Sequence, residues 1–253
     1  MIAAAVLAGA LIASQTGAPR LRDAATRVTL SAAPLRFAVQ AGAVQVVRLR
    51  AAGRRPLRVE AHVAGYALDL RGRPRIVPAL DAASWVRVRP RRVTVGRSGA
   101  ALVVSTRRVR KARAGDHSAL VLLTTAAPSA GGVLVRMRIG LVVTVRFPGA
   151  LVHRVELRAV HLRRSGRRRV VELTLANRGN VVEPIDAAHL RLTLLRGGHV
   201  LVRLRPEPRR LLPRATGLVA LRYAGRARGR VTARLELSSG AKLPRVRSFP
   251  LRL

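Results

Sequence analysis

The stretch Val231-Thr232-Ala233-Arg234-Leu235-Glu236-Leu237 places an apolar residue at every second position and a polar residue between them. Successive side chains of a β-strand point to opposite faces, so this pattern predicts a strand with one face in a core and the other in water. The same period recurs in residues 44–50, 85–89, 134–139, 190–194 and 201–205. No long stretch keeps a helical period of about 3.6 residues with capping residues at its ends. The sequence therefore predicts an all-β protein with almost no helix.

Turn-forming residues separate these stretches at short intervals, as at Gly131-Gly132 and Gly197-Gly198. About fourteen short strands, spaced by roughly 8–12 residues, are typical of β-sandwiches and suit two sandwiches better than one. Phe147-Pro148-Gly149 marks a natural boundary, because one alternating stretch ends there and another begins at His153. We predict two tandem immunoglobulin-like antiparallel β-sandwiches, at residues 28–149 and 150–253.

An uncharged apolar run occupies residues 2–13. Its length matches the apolar part of a secretory signal peptide and falls short of the ~20 residues that span a bilayer. We expect residues 1–18 to be a signal segment and the protein to be secreted and associated with the cell envelope; a buried N-terminal helix or strand is the alternative. No later stretch is apolar for long enough to suggest a C-terminal membrane anchor.

The composition combines a strong positive charge with enough apolar residues for a core. The 253 residues include 49 Lys and Arg against 11 Asp and Glu, which gives a formal net charge of +38, and 49% of residues are hydrophobic. Disordered chains combine high charge with low hydrophobicity, so a folded core is expected here. Aromatic residues make up only 2% of the chain. The absence of cysteine excludes disulfide scaffolds, thiolate metal sites and cysteine nucleophiles.

No group of residues in the sequence has the pattern of an active site. Asp116-His117-Ser118 contains the residue types of a catalytic triad, but neighbours on a strand point to opposite faces. The histidines lack a metal-binding spacing, the acidic residues are scattered singly, and no glycine-rich phosphate loop is present. We expect no enzyme activity, no metal and no cofactor. Trp85 is expected in the core, and Asn177 and Asn180 are expected to serve a turn.

Two basic clusters are the candidate anion-binding residues. The hairpin cluster surrounds Ser165-Gly166 between two alternating stretches and comprises Arg163, Arg164, Arg167, Arg168 and Arg169. The loop cluster precedes Gly115 and comprises Arg107, Arg108, Arg110, Lys111 and Arg113. Guanidinium groups bind phosphate and carboxylate in a bidentate way, so these clusters suit anionic cell-wall polymers or lipid head groups. The alternative is a solvated basic surface. Nucleic acid is not favoured, because single-strand binders need aromatic stacking platforms.

Several phrases of the first half occur together in a known family. They are residues 57–63 (LRVEAHV), 66–72 (YALDLRG), 83–90 (ASWVRVRP), 93–104 (VTVGRSGAALVV), 114–123 (AGDHSALVLL) and 135–145 (VRMRIGLVVTV). Their order resembles the immunoglobulin-like peptidoglycan-binding domain of the WxL-interacting cell-surface proteins of Gram-positive bacteria. In general layout the chain is also similar, more distantly, to pilus-assembly chaperones, which pair two immunoglobulin-like domains.

The predicted function is that of an exported, non-enzymatic envelope scaffold. It would associate with anionic wall or membrane polymers and bind a surface protein by adding a strand to a sheet edge. One alternative is an extracytoplasmic chaperone of a pilus-like or surface subunit, which a cleft lined by apolar and arginine residues between the domains would favour. Pilus chaperones hold a client's carboxylate with an Arg and a Lys, and the strand before Pro148 supplies Arg136, Arg138 and Arg146 but no lysine. A nucleic-acid-binding protein is the third alternative.

Overall fold

A computed structural model describes residues 28–53, 55–78, 81–126, 136–165, 168–240 and 243–253. These residues form nineteen β-strands and one five-residue helix, which confirms the all-β prediction. The expected signal segment, residues 1–18, lies outside the described residues. Among the residues that are described, no helix is long and apolar enough to cross a membrane.

The first sandwich is built from two sheets that pack face to face. Its elements are β1 (Thr29–Ala33), β2 (Arg36–Gln40), β3 (Val44–Ala52), β4 (Leu57–Leu68), β5 (Pro74–Val77), α1 (Asp81–Trp85), β6 (Val86–Arg89), β7 (Arg92–Val95), β8 (Ala100–Thr106), β9 (Gly115–Ala126) and β10 (Arg136–Phe147). One sheet has the order β1-β3-β8-β6, and the other has the order β2-β10-β9-β4-β5 with β7 also paired to β4. All pairs are antiparallel except β2 with β10, which is parallel.

The second sandwich contains the remaining strands. They are β11 (Val155–Ser165), β12 (Arg168–Asn177), β13 (Glu183–Ile185), β14 (Leu190–Arg196), β15 (His199–Leu204), β16 (Arg209–Leu211), β17 (Thr216–Tyr223), β18 (Arg230–Leu237) and β19 (Arg245–Arg252). The sheets have the orders β11-β12-β17, β13-β16 and β15-β14-β18-β19. All pairs within this sandwich are antiparallel.

The period-two pattern decides which side chains enter each core. On β3, Val47 and Leu49 are buried, whereas Arg48 and Arg50, which alternate with them along the strand, are exposed. The first core collects apolar residues of 28–147, and the second collects those of 155–253. A third, small apolar cluster joins Tyr66, Leu120 and Val142 of the first sandwich to residue 212 of the second.

The predicted number of about fourteen strands is too low. Short edge strands of three to five residues, such as β13 and β16, carry too few residues to show a period. Trp85 also differs from the expectation, because it ends α1 instead of opening a strand. Its ring is half-buried against the first core and makes edge contacts with His117 and Phe147, at centroid distances of 5.1 and 4.9 Å.

Candidate functional site

One half of β10 has a free edge. On one side, β10 pairs with β9 along its whole length from Arg136 to Phe147. On the other side, the short strand β2 pairs only with residues 142–146. Residues 136–141 therefore have no strand partner on that side among the described residues. This open edge is about 20 Å long at ~3.4 Å per residue.

The backbone of the open edge is arranged to accept another strand. The N–H of Val142 donates to Leu35 O on the β2 side at 2.9 Å. Backbone groups alternate between the two edges of a strand, so those of Arg136, Arg138 and Gly140 point to the same side as those of Val142. Each presents an N–H and a C=O that no described strand uses.

The side chains of the open edge separate into an apolar and a basic face. Met137 and Ile139 are half-buried and pack against the first core at the rim of the sandwich. Arg136, Arg138 and Gly140 are exposed on the opposite face of the sheet. A strand added here would continue both the apolar face and the solvent face of the sheet.

The exposed face beside the open edge is a shallow basic basin of about 770 Å³. Its charged walls are Arg58, Glu60, Arg92, Arg136 and Arg138. Glu60 accepts a hydrogen bond from Arg92 Nε at 3.2 Å, and this bond holds the pKa of the Glu60 carboxyl below its ordinary value. Among the described residues, no ion pair joins Arg58, Arg136 or Arg138 to a carboxylate.

A buried ion pair fixes the junction between the two sandwiches. The side chain of Asp116, at the start of β9, is only 1% exposed. Arg146 donates to its two oxygens at 2.7 and 2.9 Å, and the backbone N–H of Val182 in the second sandwich donates to Oδ2 at 2.9 Å. The hydrogen bond to Asp116 raises the pKa of the Arg146 guanidinium above its ordinary value. This contact links β9, β10 and the second sandwich.

Asn180 adds further hydrogen bonds at the same junction. Its Nδ2 donates to Ala114 O at 3.0 Å and to Ala150 O at 2.8 Å, and its backbone carbonyl accepts from Asp116 N at 2.7 Å. A side chain at Gly115 would lie 2.2 Å from that carbonyl, and Gly115 has a φ of +113°, so glycine is required there. Asn177 has the expected turn role, since its Oδ1 accepts from Gly179 N at 2.9 Å. Asn180, by contrast, connects the two sandwiches.

A cleft of about 430 Å³ lies beside this junction. Tyr66, Leu212 and Pro213 supply its apolar lining, and Arg113 and Arg214 supply positive charge. Burial raises the pKa of the Tyr66 phenol above its ordinary value, while the guanidiniums of residues 36 and 210 oppose that shift.

The three arginines noted before Pro148 do not line this cleft. Arg146 is bound to Asp116, whereas Arg136 and Arg138 line the basin described above. A cleft with apolar and arginine residues is nonetheless present, built from other positions. A cleft with this lining is the feature expected above for the chaperone alternative.

Most of the hairpin cluster lies within two paired strands: Arg163 and Arg164 belong to the end of β11, and Arg168 and Arg169 to the start of β12. Arg163 forms an ion pair with Glu172 at 3.2 Å, and Arg169 donates to Ala227 O at 2.7 Å. The side chain of Arg164 is exposed and forms no hydrogen bond or ion pair with a described residue. Arg167 and the side chain of Arg168 lie outside the description. Anion binding by this cluster stays a prediction.

The loop cluster lies between β8 and β9 in the first sandwich. Arg107, Arg108, Arg110, Lys111 and Arg113 are all exposed. Arg108 Nε donates to Ala41 O at 3.3 Å. No hydrogen bond or ion pair joins described residues of this cluster to those of the hairpin cluster, which belongs to the other sandwich. Its role in anion binding also stays a prediction.

Comparison with solved structures finds the same overall fold in fimbrial chaperones. A structure described as a chaperone–tip adhesin complex of CFA/I fimbriae biogenesis matches with a TM-score of 0.53 and 9% identity, covering 87% of this chain and 98% of that chain. The class 5 fimbriae chaperone CfaA matches with a TM-score of 0.50 and 11% identity, covering 88% of this chain and 100% of that chain. At such identities the likeness shows the fold alone.

No protein-family model matches this sequence, and no curated protein sequence matches it. The resemblance to pilus-assembly chaperones in general layout is thus confirmed at the level of the fold. The comparisons do not confirm the resemblance to the WxL-interacting proteins.

Proposed function

We propose that this protein is an extracytoplasmic chaperone that binds a surface or pilus-like subunit by accepting one of its strands at the open edge of β10. The observation that carries the proposal is the mismatch between β10 and its neighbour β2. The twelve-residue strand β10 is covered by β2 over only five residues. An exposed row of unpaired backbone groups is a template for pairing with another chain.

Both parts of strand addition have a basis in the described residues. Arg136, Arg138 and Gly140 offer the backbone hydrogen bonds that give affinity in this mode of recognition. Met137 and Ile139 offer a half-buried apolar surface, onto which the alternate side chains of an incoming strand can pack. The subunit strand would extend the sheet β2-β10-β9-β4 and close the rim of the first core.

The shared fold with fimbrial chaperones supports this alternative more than the wall-polymer scaffold predicted from the sequence. Export, a location in the envelope and a non-enzymatic role form part of the proposal. Binding of anionic polymers or nucleic acid is not part of it.

We further propose that residues 28–149 and 150–253 are two domains held in a fixed orientation. Each contains its own apolar core, and Asp116, Asn180 and the cluster around Tyr66 connect them. A fixed orientation would hold a bound subunit in one position relative to both domains.

Site-specific photo-crosslinking tests the function. A photoreactive amino acid replaces Arg138 on the open edge, and in the control variant it replaces Arg48. Arg48 is also exposed, but β3 is paired on both sides, with β1 and β8. We expect position 138 to cross-link, in the producing cells, to a β-strand segment of a surface subunit, and position 48 to give no such product. Equal products at both positions, or none at position 138, would contradict the proposal.

A further inference from the structure

The outward-facing positions of the open edge are occupied by arginine. The side chains of Arg136 and Arg138 are exposed on the same face of β10. Their neighbours across the strand pair on β9 are Ala126 and Thr124, which carry no charge. A strand added on the other side of β10 would place its own outward side chains about 4.5–5.5 Å from these arginines, measured between Cβ atoms.

Among the described residues, the positive charge on this face is only partly neutralised. Glu60 is the one carboxylate that these residues contribute to the basin, and it lies on β4, with β9 between it and β10. It already contacts Arg92 at 3.2 Å and His62 at 3.6 Å. Four arginines against one glutamate leave a net charge of +3 when His62 is neutral.

We infer that the strand accepted by the open edge is acidic, with Asp or Glu at the alternate positions that face outward beside Arg136 and Arg138. This inference rests on the proposed function and specifies the class of partner. Opposite charges at facing positions of neighbouring strands attract, and like charges there repel. A basic strand would therefore be rejected at the edge where an acidic strand is held.

The spacing of the arginines favours a strand over a flexible anionic polymer. Residues two apart on one face of a strand are separated by about 6.8 Å, which is also the spacing of alternate residues on an incoming strand. The open backbone groups of Arg136, Arg138 and Gly140 lie along the same line, and a partner with backbone amides can pair with all of them in register. A polymer without amides would use the charges but leave those groups unpaired.

Binding of labelled peptides to the whole chain tests the inference, with fluorescence anisotropy as the readout. The probes are short peptides that alternate valine with glutamate, glutamine or lysine. A fourth peptide has the same charge as the glutamate peptide but has proline in place of valine, so that it cannot pair as a strand. Inorganic polyphosphate is the polymer probe.

The variants compared are R136E/R138E and the control R48E/R50E. Both remove two exposed arginines spaced two apart on a strand, but Arg48 and Arg50 lie on β3, inside its sheet. We expect the glutamate peptide to bind more tightly than the glutamine peptide by roughly two- to fivefold for each facing pair, and the proline peptide to bind weakly. R136E/R138E should reverse the preference towards the lysine peptide, whereas R48E/R50E should keep the original order.

The outcomes separate this inference from the proposed function. Equal binding of the glutamate, glutamine and lysine peptides would overturn the acidic strand while leaving strand addition intact. Failure of every alternating peptide to bind would overturn both. Two other outcomes would show a diffuse attraction of polyanions and contradict the inference. One is equal binding of the proline–glutamate and valine–glutamate peptides. The other is an equal loss of polyphosphate binding and peptide binding in both variants.

Discussion

Replacing Asp116 with alanine should destabilise the protein strongly, because it removes the acceptor of three hydrogen bonds at the junction between the sandwiches. Removing one partner of a buried ion pair costs about 3–5 kcal/mol. Arg146 is 36% exposed, so water solvates part of its released charge. We therefore expect a loss of about 2–3 kcal/mol in the free energy of unfolding, somewhat less than for a fully buried pair. For a folded region of this size, such a loss lowers Tm by about 4–12 °C.

Thermal and urea unfolding followed by circular dichroism measure this effect. The matched control is Glu207→Ala, which breaks an ion pair with Arg222 of similar length, 3.2 Å, whose side chains are 82% and 67% exposed. Exposed pairs contribute about 0–1 kcal/mol, so the control should unfold almost as the parent does. Asp116→Asn should fall between the two, because an amide oxygen can still accept from Val182 N.

Small-angle X-ray scattering of the same variants reports on the second role of Asp116. Loss of its bond to Val182 N should broaden the distribution of distances between the sandwiches, while Glu207→Ala should leave it unchanged. Equal stability of the Asp116→Ala and Glu207→Ala variants would refute the reasoning that this buried pair fixes the junction.

Three further predictions concern titration and charge. Tyr66 should ionise above the ordinary tyrosine pKa of about 10. Absorbance at 295 nm measures this ionisation, and subtracting the titration of the Tyr66→Phe variant isolates the signal of Tyr66. The stability that the protonated phenol contributes should be lost as the pH rises through the raised pKa. The hydrogen bond from His189 lowers the pKa of Asp186, so Asp186→Asn should be less stable at pH 7, and urea unfolding should show the difference shrink as the pH falls below about 4. If the hairpin cluster is an anion-binding site, changing its five arginines to glutamine should weaken binding to an anionic polymer and reduce the salt slope by about 3–4. Changing an equal number of strand-face arginines should have a smaller effect, and equal losses from both sets would show that the hairpin is not a site. The two replaced sets are Arg163, Arg164, Arg167, Arg168 and Arg169 for the hairpin, and Arg48, Arg50, Arg87, Arg89 and Arg203 for the strand faces.

Residue alternation predicted several of the strands. The stretch 231–237 corresponds to β18, Arg230–Leu237, and the stretch 190–194 begins β14, Leu190–Arg196. Such strands bury one face, so their pattern is local and appears in the sequence. Short strands such as β13 have no readable period, and the helix that ends at Trp85 is too short to show one.

The candidate site could not be predicted in the same way, because it depends on pairing between distant parts of the chain. Arg136 and Arg138 were noted in the sequence, but the open edge exists because β2, about a hundred residues earlier, covers only part of β10. Pro34 before β2 was the available signal, since proline interrupts a strand. Asn180 was predicted to serve a turn, and its bond to Ala114, 66 residues away, has no local signature.

Amide hydrogen exchange of β10, resolved by residue, tests the central claim most directly. In the free protein we predict fast exchange at Arg138 and Gly140, whose N–H groups face the open edge, and slow exchange at Val142, which donates to Leu35 O. Addition of the valine–glutamate peptide should slow exchange at Arg138 and Gly140 and leave Val142 as it was. Protection of Arg138 and Gly140 in the free protein, or unchanged exchange there when the peptide is bound, would contradict strand addition at this edge.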